Sequence, residues 1–567
     1  MMSRKLSFPL LSIAILAAVA PSLHAQQNDV ETRAMHDEMQ RSMKDLHLES
    51  AEGPYFISYK IVDVDREEAQ ASFGALTSSA EPRSRVLSVT VRVGNYDVDN
   101  TNFTSTSTAD LLLGTLLAGS VQMPVDDNYD ELRRKIWLAT DSAYKKAVEQ
   151  LSAKKAAQET TNRDEKIPDF SKQPPRQESD SSPLADVKLA DIERLVRSAS
   201  AVFRTLPSVE SSDARFEVVN TTERFLNSEG TTYFRQASEL SFHASGSVQG
   251  STGETFADSC AEYGRSISEL PNEAALLQET RQVSDRLATR LHGKVAKRYN
   301  GPVLVEDEAA GELFAHDFAK LLSSHPRNSI GSGNAGGLAA LLNGPTASLL
   351  NKVGSRVLPD FLTVTNNPQL TQLDGHMLLG NYKFDEEGVP AQETVLIKDG
   401  MLKTLLTSRA PARGMLESTG SMREHGVLPG NLIVEATKAS TNDELKAQLI
   451  DLVKTRSLDY GYILRKLAGN RAIIAIRVYP DGHEDEVRDA RVAEITANSF
   501  KDILAVSKER TIYSEQAAIT SLLNFSAAEG DLVSYAVPSL LFEDMTIEHV
   551  PNDSPKPPVV GSPLASQ

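Results

Sequence analysis

The chain of 567 residues carries 59 Lys and Arg against 77 Asp and Glu, a net charge of −18, with 40% hydrophobic residues. Such a chain can bury large cores, is not wholly disordered, and at roughly 150 residues per domain corresponds to about two to four domains. The acidic balance with scattered basic residues excludes a nucleic-acid partner, which needs a basic surface to displace counterions. The single Cys260 has no partner for an internal disulfide and reads as a small buried side chain, so the fold must rest on packing.

In chain order, Arg4 and Lys5, an apolar run over 10–20, Pro21 and a polar approach to Ala25 read as a secretory signal peptide, residues 1–25. Export to the periplasm is the expected location, with no stable membrane insertion after cleavage, because no later run is apolar for long enough to span a bilayer. Residues 26–151 mix a polar helix at 30–48, strands at 55–64 and 85–93, and a helix at 131–151. In the second strand Leu87, Val89, Val91 and Val93 alternate with Ser88, Thr90 and Arg92, which predicts one wet face. In the helix, Leu132, Ile136, Ala139, Ala143, Ala147 and Leu151 fall on one side.

Residues 152–185, dominated by Lys, Glu, Gln, Ser and Pro, read as a polar linker or insertion that buries too little surface to offset chain entropy. The rest of the N-terminal domain, 186–300, holds a helix at 187–203, two strands around the turn Asn227-Ser228-Glu229-Gly230, and a helix at 273–292. Strands and helices do not alternate regularly, so the fold class predicted is α+β. From 301 to 548 short strands recur at 362–364, 393–397, 402–408, 431–435, 472–478 and 489–495, with helices at 309–323, 442–455 and 499–504. That domain is expected to be largely antiparallel β, and the Pro- and Ser-rich 549–567 a disordered tail.

The stretch 358–412, with LPDFLTVTNNPQL and GNYKFDEEGVPAQETVLIKDGMLKTLLTSRAPA, resembles the C-terminal half of the TldD/PmbA family, as do Gly420, Arg423 and Pro429-Gly430-Asn431 and the closing YAVPSLL at 535–541. The resemblance covers about 301–541 and is faint before it, Asn227-Ser228-Glu229-Gly230 being the main earlier motif. It implies a family of zinc-dependent peptidases and of sister subunits without zinc. In the zinc-binding members the helix after strand 302–305 looks like a glycine, a short apolar run and HExxxH, in which two His bind metal and the Glu activates water. Matching on Gly311 places Ala315 at the first His, His316 at the Glu and Lys320 at the second His. A one-residue shift aligns His316 and Asp317 with the His-Glu pair, but Leu321 then stands where the second His belongs. The family's late Cys ligand is also missing, since no Cys follows Cys260. Zinc needs several such ligands within about 2.0–2.3 Å, so no metal site is expected in this chain.

Other sites are equally bare. His316 and His325, nine apart, lie about 180° from each other on a straight helix. His483-Glu484-Asp485-Glu486 reads as a solvated hairpin tip, and GSGNAGG at 331–337, lacking the Lys-Ser/Thr of a phosphate loop, as a flexible loop. By the resemblance Asp385 and Glu386 lie near a peptide channel, though acidic turn residues are commonly just solvated. Arg423 either holds a substrate carbonyl or carboxylate by its planar fork or makes a structural salt bridge. Asn431 completes the candidate substrate-binding set.

Three readings stay open. The first is an exported, zinc-free subunit that binds unfolded peptides in a hetero-oligomer beside a zinc-bearing TldD-like sister. The second is a hydrolase with an atypical site, with His316 and Asp317 as catalytic candidates. The third is a homo-oligomeric binding or scaffold protein that kept the fold without the chemistry.

Overall fold

The computed structural model describes residues 29–49, 51–104, 120–159, 167–206, 208–250, 253–324, 329–330, 349–424, 426–493, 495–517, 530–550 and 560. The expected signal peptide, His325, the glycine-rich 331–337 and all of the tail beyond Val550 except Val560 lie outside them.

The N-terminal half is an eight-stranded sheet built on four long strands, Pro54–Ser72, which runs well past the 55–64 expected, and Arg83–Val93, Val209–Asn227 and Thr232–Gln249, close to expectation, flanked by Thr255–Gly264, Ala75–Ala80, Ser120–Gln122 and Gln177–Ser181. The long strands pair antiparallel, and the period-2 alternation puts Ile57, Tyr59, Ile61 and Leu87 on one face. Helices cover that face because they carry the complementary stripe. Val30–Asp45, capped by Asp29 accepting from Thr32 N–H at 2.8 Å, contributes Ala34, Met35 and Met39, and Tyr129–Glu159 contributes Leu132, Ile136, Tyr144 and Leu151. Leu189–Ala201 packs Ile192 and Val196 over the other end of the same strands, beside Glu273–Arg290.

The opposite face is different. Register sets Lys60 opposite Phe225, Phe225 opposite Tyr233, and Glu223 opposite Arg235, so these side chains share one face and meet the second domain.

That second domain is a twelve-stranded mixed sheet. Its centre is Asp531–His549, with eleven consecutive buried residues from Leu532 to Phe542 as expected of a strand covered on both sides. It pairs with Tyr299–Val305, Ala490–Ala493 and Ile503–Ala517 antiparallel and with Asn431–Ala436 parallel. Pro538 can donate no ladder bond, and the register of its partner slips between Val506 and Arg510 to accommodate it. Two helices flank the sheet: Glu308–Asp317, and Asn442–Thr455, which begins with a capping box between Thr441 and Glu444. The α+β class with a β-rich C-terminal region holds.

Several local expectations are corrected. The reading of 152–185 as a loose linker fails: the helix runs on to Glu159, and Gln177–Ser181 is a strand parallel to Thr232–Gln249. The 309–323 helix ends at Asp317 and tightens into a 3-10 turn at Ala319–Leu322. The strand expected at 402–408 is confined to Met401–Leu402, after a turn in which Asp399 and Gly400 both have positive φ. At 499–504 a 3-10 turn, Ser499–Asp502, gives way to the strand Ile503–Ala517, and Gly461–Ala468 is a strand the pattern did not single out. No helix among the described residues is long and apolar enough to cross a membrane.

Candidate functional site

The helix Glu308–Asp317 follows the buried strand Tyr299–Val305 and lies against the hairpin strand Ile503–Ala517. Gly311 permits this approach: a β-carbon there would stand 2.3 Å from Tyr513 Cβ. The close packing brings Glu312 and His316, one turn apart, beside Glu515 and Tyr513.

His316 Nε2 donates to Glu515 Oε2 at 2.8 Å, and the Tyr513 hydroxyl donates to the same oxygen at 3.1 Å. On the other side of the ring, His316 Nδ1 stands 3.9 Å from Glu312 Oε1. The hydrogen bond to Glu515 outweighs burial and raises the imidazole pKa, favouring the cation. Glu312 is buried and accepts from Gly469 N–H at 2.8 Å, yet burial pushes its carboxyl up to about 7. The Tyr513 phenol is raised by burial and by the neighbouring carboxylates. The N-terminal domain closes over one side: Lys466 Nζ reaches Ser259 O at 2.6 Å and Glu308 Oε2 at 3.6 Å, and burial together with the carboxyl of Glu279 pushes Glu262 up to about 7.

A metal of the HExxxH type does not fit this donor set. Ala315 has no donor and Lys320 sits exposed on the 3-10 turn. The two nitrogens of His316 address two different carboxylates, so the ligand atoms flank the ring instead of converging on a point. Asp317 ends the helix one position, about 100°, further round. The carboxylate on His316 is therefore Glu515, distant in sequence, and not Asp317. Cys260 is half-buried, and burial pushes its thiol up to about 11, so it is no ready thiolate ligand.

The second cluster lies where the domain-facing side of the N-terminal sheet meets the turn 384–388. Glu386 accepts from Lys60 Nζ at 2.8 Å and is paired to Arg235, which also donates to Phe384 O at 2.8 Å. Burial opposes its ionisation, but Lys60 and Arg235 prevail and hold the carboxyl well below the usual range. Glu223 beside it is raised to about 7 by burial and by the charge of Glu386. Carboxylate oxygens of Glu223, Glu386 and Glu424 come within 4.8 Å of one another, with Lys60 bonded to Glu386 and Glu424 and Arg235 to Glu386 and Glu223 as counter-charges.

The other sequence candidates are placed as follows. Asp385, 1% exposed, accepts the backbone N–H groups of Glu387, Val389 and Met422 and so shapes the turn. Arg423 donates to Pro429 O and Leu532 O, pairs with Asp531 at 3.4 Å and stacks on Tyr382, 4.5 Å from ring centre to guanidinium carbon. Asn431, fully buried, accepts from Gly380 N–H and donates to Asn367 O and Leu370 O. These are positions of structural bonding; Glu386 belongs to the cluster above, and Arg423 to another with Asp531, Glu239 and Arg265. Sequence reasoning missed Glu312, Tyr513, Glu515, Lys60 and Arg235. Glu312 was legible as the residue one turn before His316, whereas the others come from strands remote in sequence.

Residues 298–549 match the family model of the PmbA/TldA metallopeptidase C-terminal domain. A metalloprotease of Methanothermobacter thermautotrophicus is 25% identical over 245 residues, 43% of this chain and 49% of that protein. Metalloprotease PmbA of Escherichia coli O157:H7 is 30% identical over 169 residues, 30% of this chain and 32% of that protein. The matched stretches thus span about half or less of these curated relatives. The solved structure of TldE from Thermococcus kodakarensis, 14% identical, superposes with a TM-score of 0.55 over 91% of this chain and all of that one, so the likeness of fold extends through both domains. Residues 298–549 are thus similar to the C-terminal domain of the TldD/PmbA metallopeptidases, and the likeness before them is one of fold.

Proposed function

We propose that this protein is an exported, zinc-free subunit of a proteolytic assembly, which binds unfolded peptide while a zinc-bearing sister of the same family supplies metal and base. The observation that carries the reading is the His316 cluster: at the helix where the family's ligands belong, the imidazole is bracketed by Glu515 and Glu312, with Ala315 and Lys320 beside it. An imidazolium held between carboxylates repels a cation instead of ligating one. Elemental analysis of the mature chain after dialysis against zinc is the test. Substoichiometric zinc, with peptidase activity only on addition of an HExxxH-bearing sister, is the expected result; one zinc per chain removable by a chelator refutes it.

A second reading has one specific observation behind it. A carboxylate hydrogen-bonded to one nitrogen of an imidazole that stays partly exposed is the arrangement that orients a general base. In that reading Glu515 replaces Asp317 as the orienting group. Hydrolysis by the chain alone, lost in His316→Ala and independent of chelators, distinguishes it from the first.

A further inference from the structure

Residues 170–181 are held the way a bound peptide is held, by main-chain hydrogen bonds and one anchoring side chain. Phe170, 2% exposed, lies between two guanidinium groups: those of Arg92 and Arg409 stand 3.6 and 4.0 Å from the ring centre, with Phe56 edge-on at 5.0 Å. Ser171 N–H donates to Arg409 O at 2.8 Å, and Ser171 O accepts from Arg409 Nε and Nη2 at 3.0 and 2.7 Å. Beyond an exposed bridge, Gln177–Ser181 adds to the edge of the sheet and pairs residue by residue with Thr232 to Gln236. Thr232 N–H also donates to Arg176 O at 2.8 Å and Ser182 N–H to Gln236 O at 3.0 Å.

This strand has no apolar face: its residues are Gln, Glu, Ser, Asp and Ser, and none is buried. Asp180 pairs with Lys383 of the other domain at 2.7 Å, but the ladder supplies most of the attachment, as when an extended peptide augments a sheet. An aromatic anchor in a cation-lined cage, followed after seven positions by a sequence-indifferent backbone ladder, is a recognition surface whose ligand is part of the same chain.

We propose that the surface under residues 170–181, formed by the Arg92–Arg409–Phe56 cage and the Thr232–Gln236 edge, is a groove for an extended peptide bearing an aromatic residue, and that the chain's own segment fills it in cis. The proposal deepens the peptide-binding part of the function above but is independent of zinc or a sister subunit, so the two can fail separately. A tethered occupant acts at an effective concentration on the order of millimolar. A peptide in trans therefore binds weakly until the tethered one is loosened, and its apparent affinity then rises with the open fraction.

The test uses the full mature chain, Phe170→Ala, and a second variant, Glu178→Pro with Asp180→Pro, whose prolines can donate no ladder bond. Both leave Asp169 in place, which Lys154 and Asp99 N–H need. The probe is a labelled synthetic peptide of the sequence 167–182, with a control in which its Phe is Ala. Anisotropy reads affinity and amide exchange at Thr232–Gln236 reads the place. The expected result is at least about tenfold tighter binding by both variants than by the wild type, slowed exchange on the edge strand, and loss of binding with the Phe-free peptide. Folded variants that bind no peptide, or that bind the two peptides equally, overturn the proposal. If Phe170→Ala does not fold, the double-proline variant alone decides.

Discussion

Arg409→Ala removes the side chain that ties the C-terminal domain to three parts of the N-terminal one. Arg409 is 1% exposed, pairs with Glu229 at 2.7 Å, donates twice to Ser171 O and lies over the rings of Phe170 and Phe56 at 4.0 and 5.3 Å. Deleting one partner of a buried pair leaves Glu229, itself 7% exposed, uncompensated, which costs about 3–5 kcal/mol. The lost cation–π contacts are worth about 1–2 kcal/mol more, but they share the same guanidinium and do not add in full. The Tyr96 hydroxyl continues to donate to Glu229 at 2.7 Å, which keeps the penalty toward the lower end. The expected loss is about 4 kcal/mol, or on the order of 10 °C in melting temperature for a unit of one to two hundred residues. Arg409→Lys, which retains charge but not the planar fork, should recover less than half of it. Calorimetry measures the loss, and amide exchange at Ser171 localises it. A melting temperature within about 2 °C of the wild type, with unchanged Ser171 protection, refutes the view that this arginine clasps the domains.

Gly311→Val places a β-carbon 2.3 Å from Tyr513 Cβ; overpacking of about 1–3 kcal/mol is expected in urea titrations, together with a disturbed His316–Glu515 contact. Arg85→Met removes a guanidinium that is 2% exposed from Glu31 and Asp63, leaving them only Arg224 at 3.6 and 2.8 Å, and should cost about 3 kcal/mol, read from the denaturation midpoint. Glu262 and Glu312 are both raised to about 7 by burial, so the folded state binds more protons than the unfolded one between their ordinary carboxylate values and 7. Stability from these groups is present at low pH and lost as pH rises to about 7. Glu312→Gln should flatten that decline in melting temperature measured from about pH 5 to 8, and an unchanged slope would remove Glu312 from the account.

What the local pattern could carry, it carried. Period-2 alternation in 85–93 and the helical stripe from Leu132 to Leu151 each needed only a nearest-neighbour rule, and the structure puts both in one core. The capping residues Thr441 and Glu444 start their helix at the expected residue. The absence of both His of the motif, at Ala315 and five residues on at Lys320, and of any Cys after Cys260, was likewise plain from residue identity.

Composition misled at 152–185, because it counts apolar residues and not their partners: Phe170 is one ring, but Arg92 and Arg409 meet on it from positions 78 residues before and 239 after. The same holds for the site. That His316 leans on Glu515 instead of Asp317, and that Glu386 faces Lys60 and Arg235 across a domain boundary, follows from the registers of long antiparallel strands. Sequence by itself determined the α+β class, the strongly periodic elements and the missing ligands, because those depend on residue type and short spacing. Only the tertiary structure decided which charges meet, because a carboxylate's pKa and role are set by what surrounds it in space.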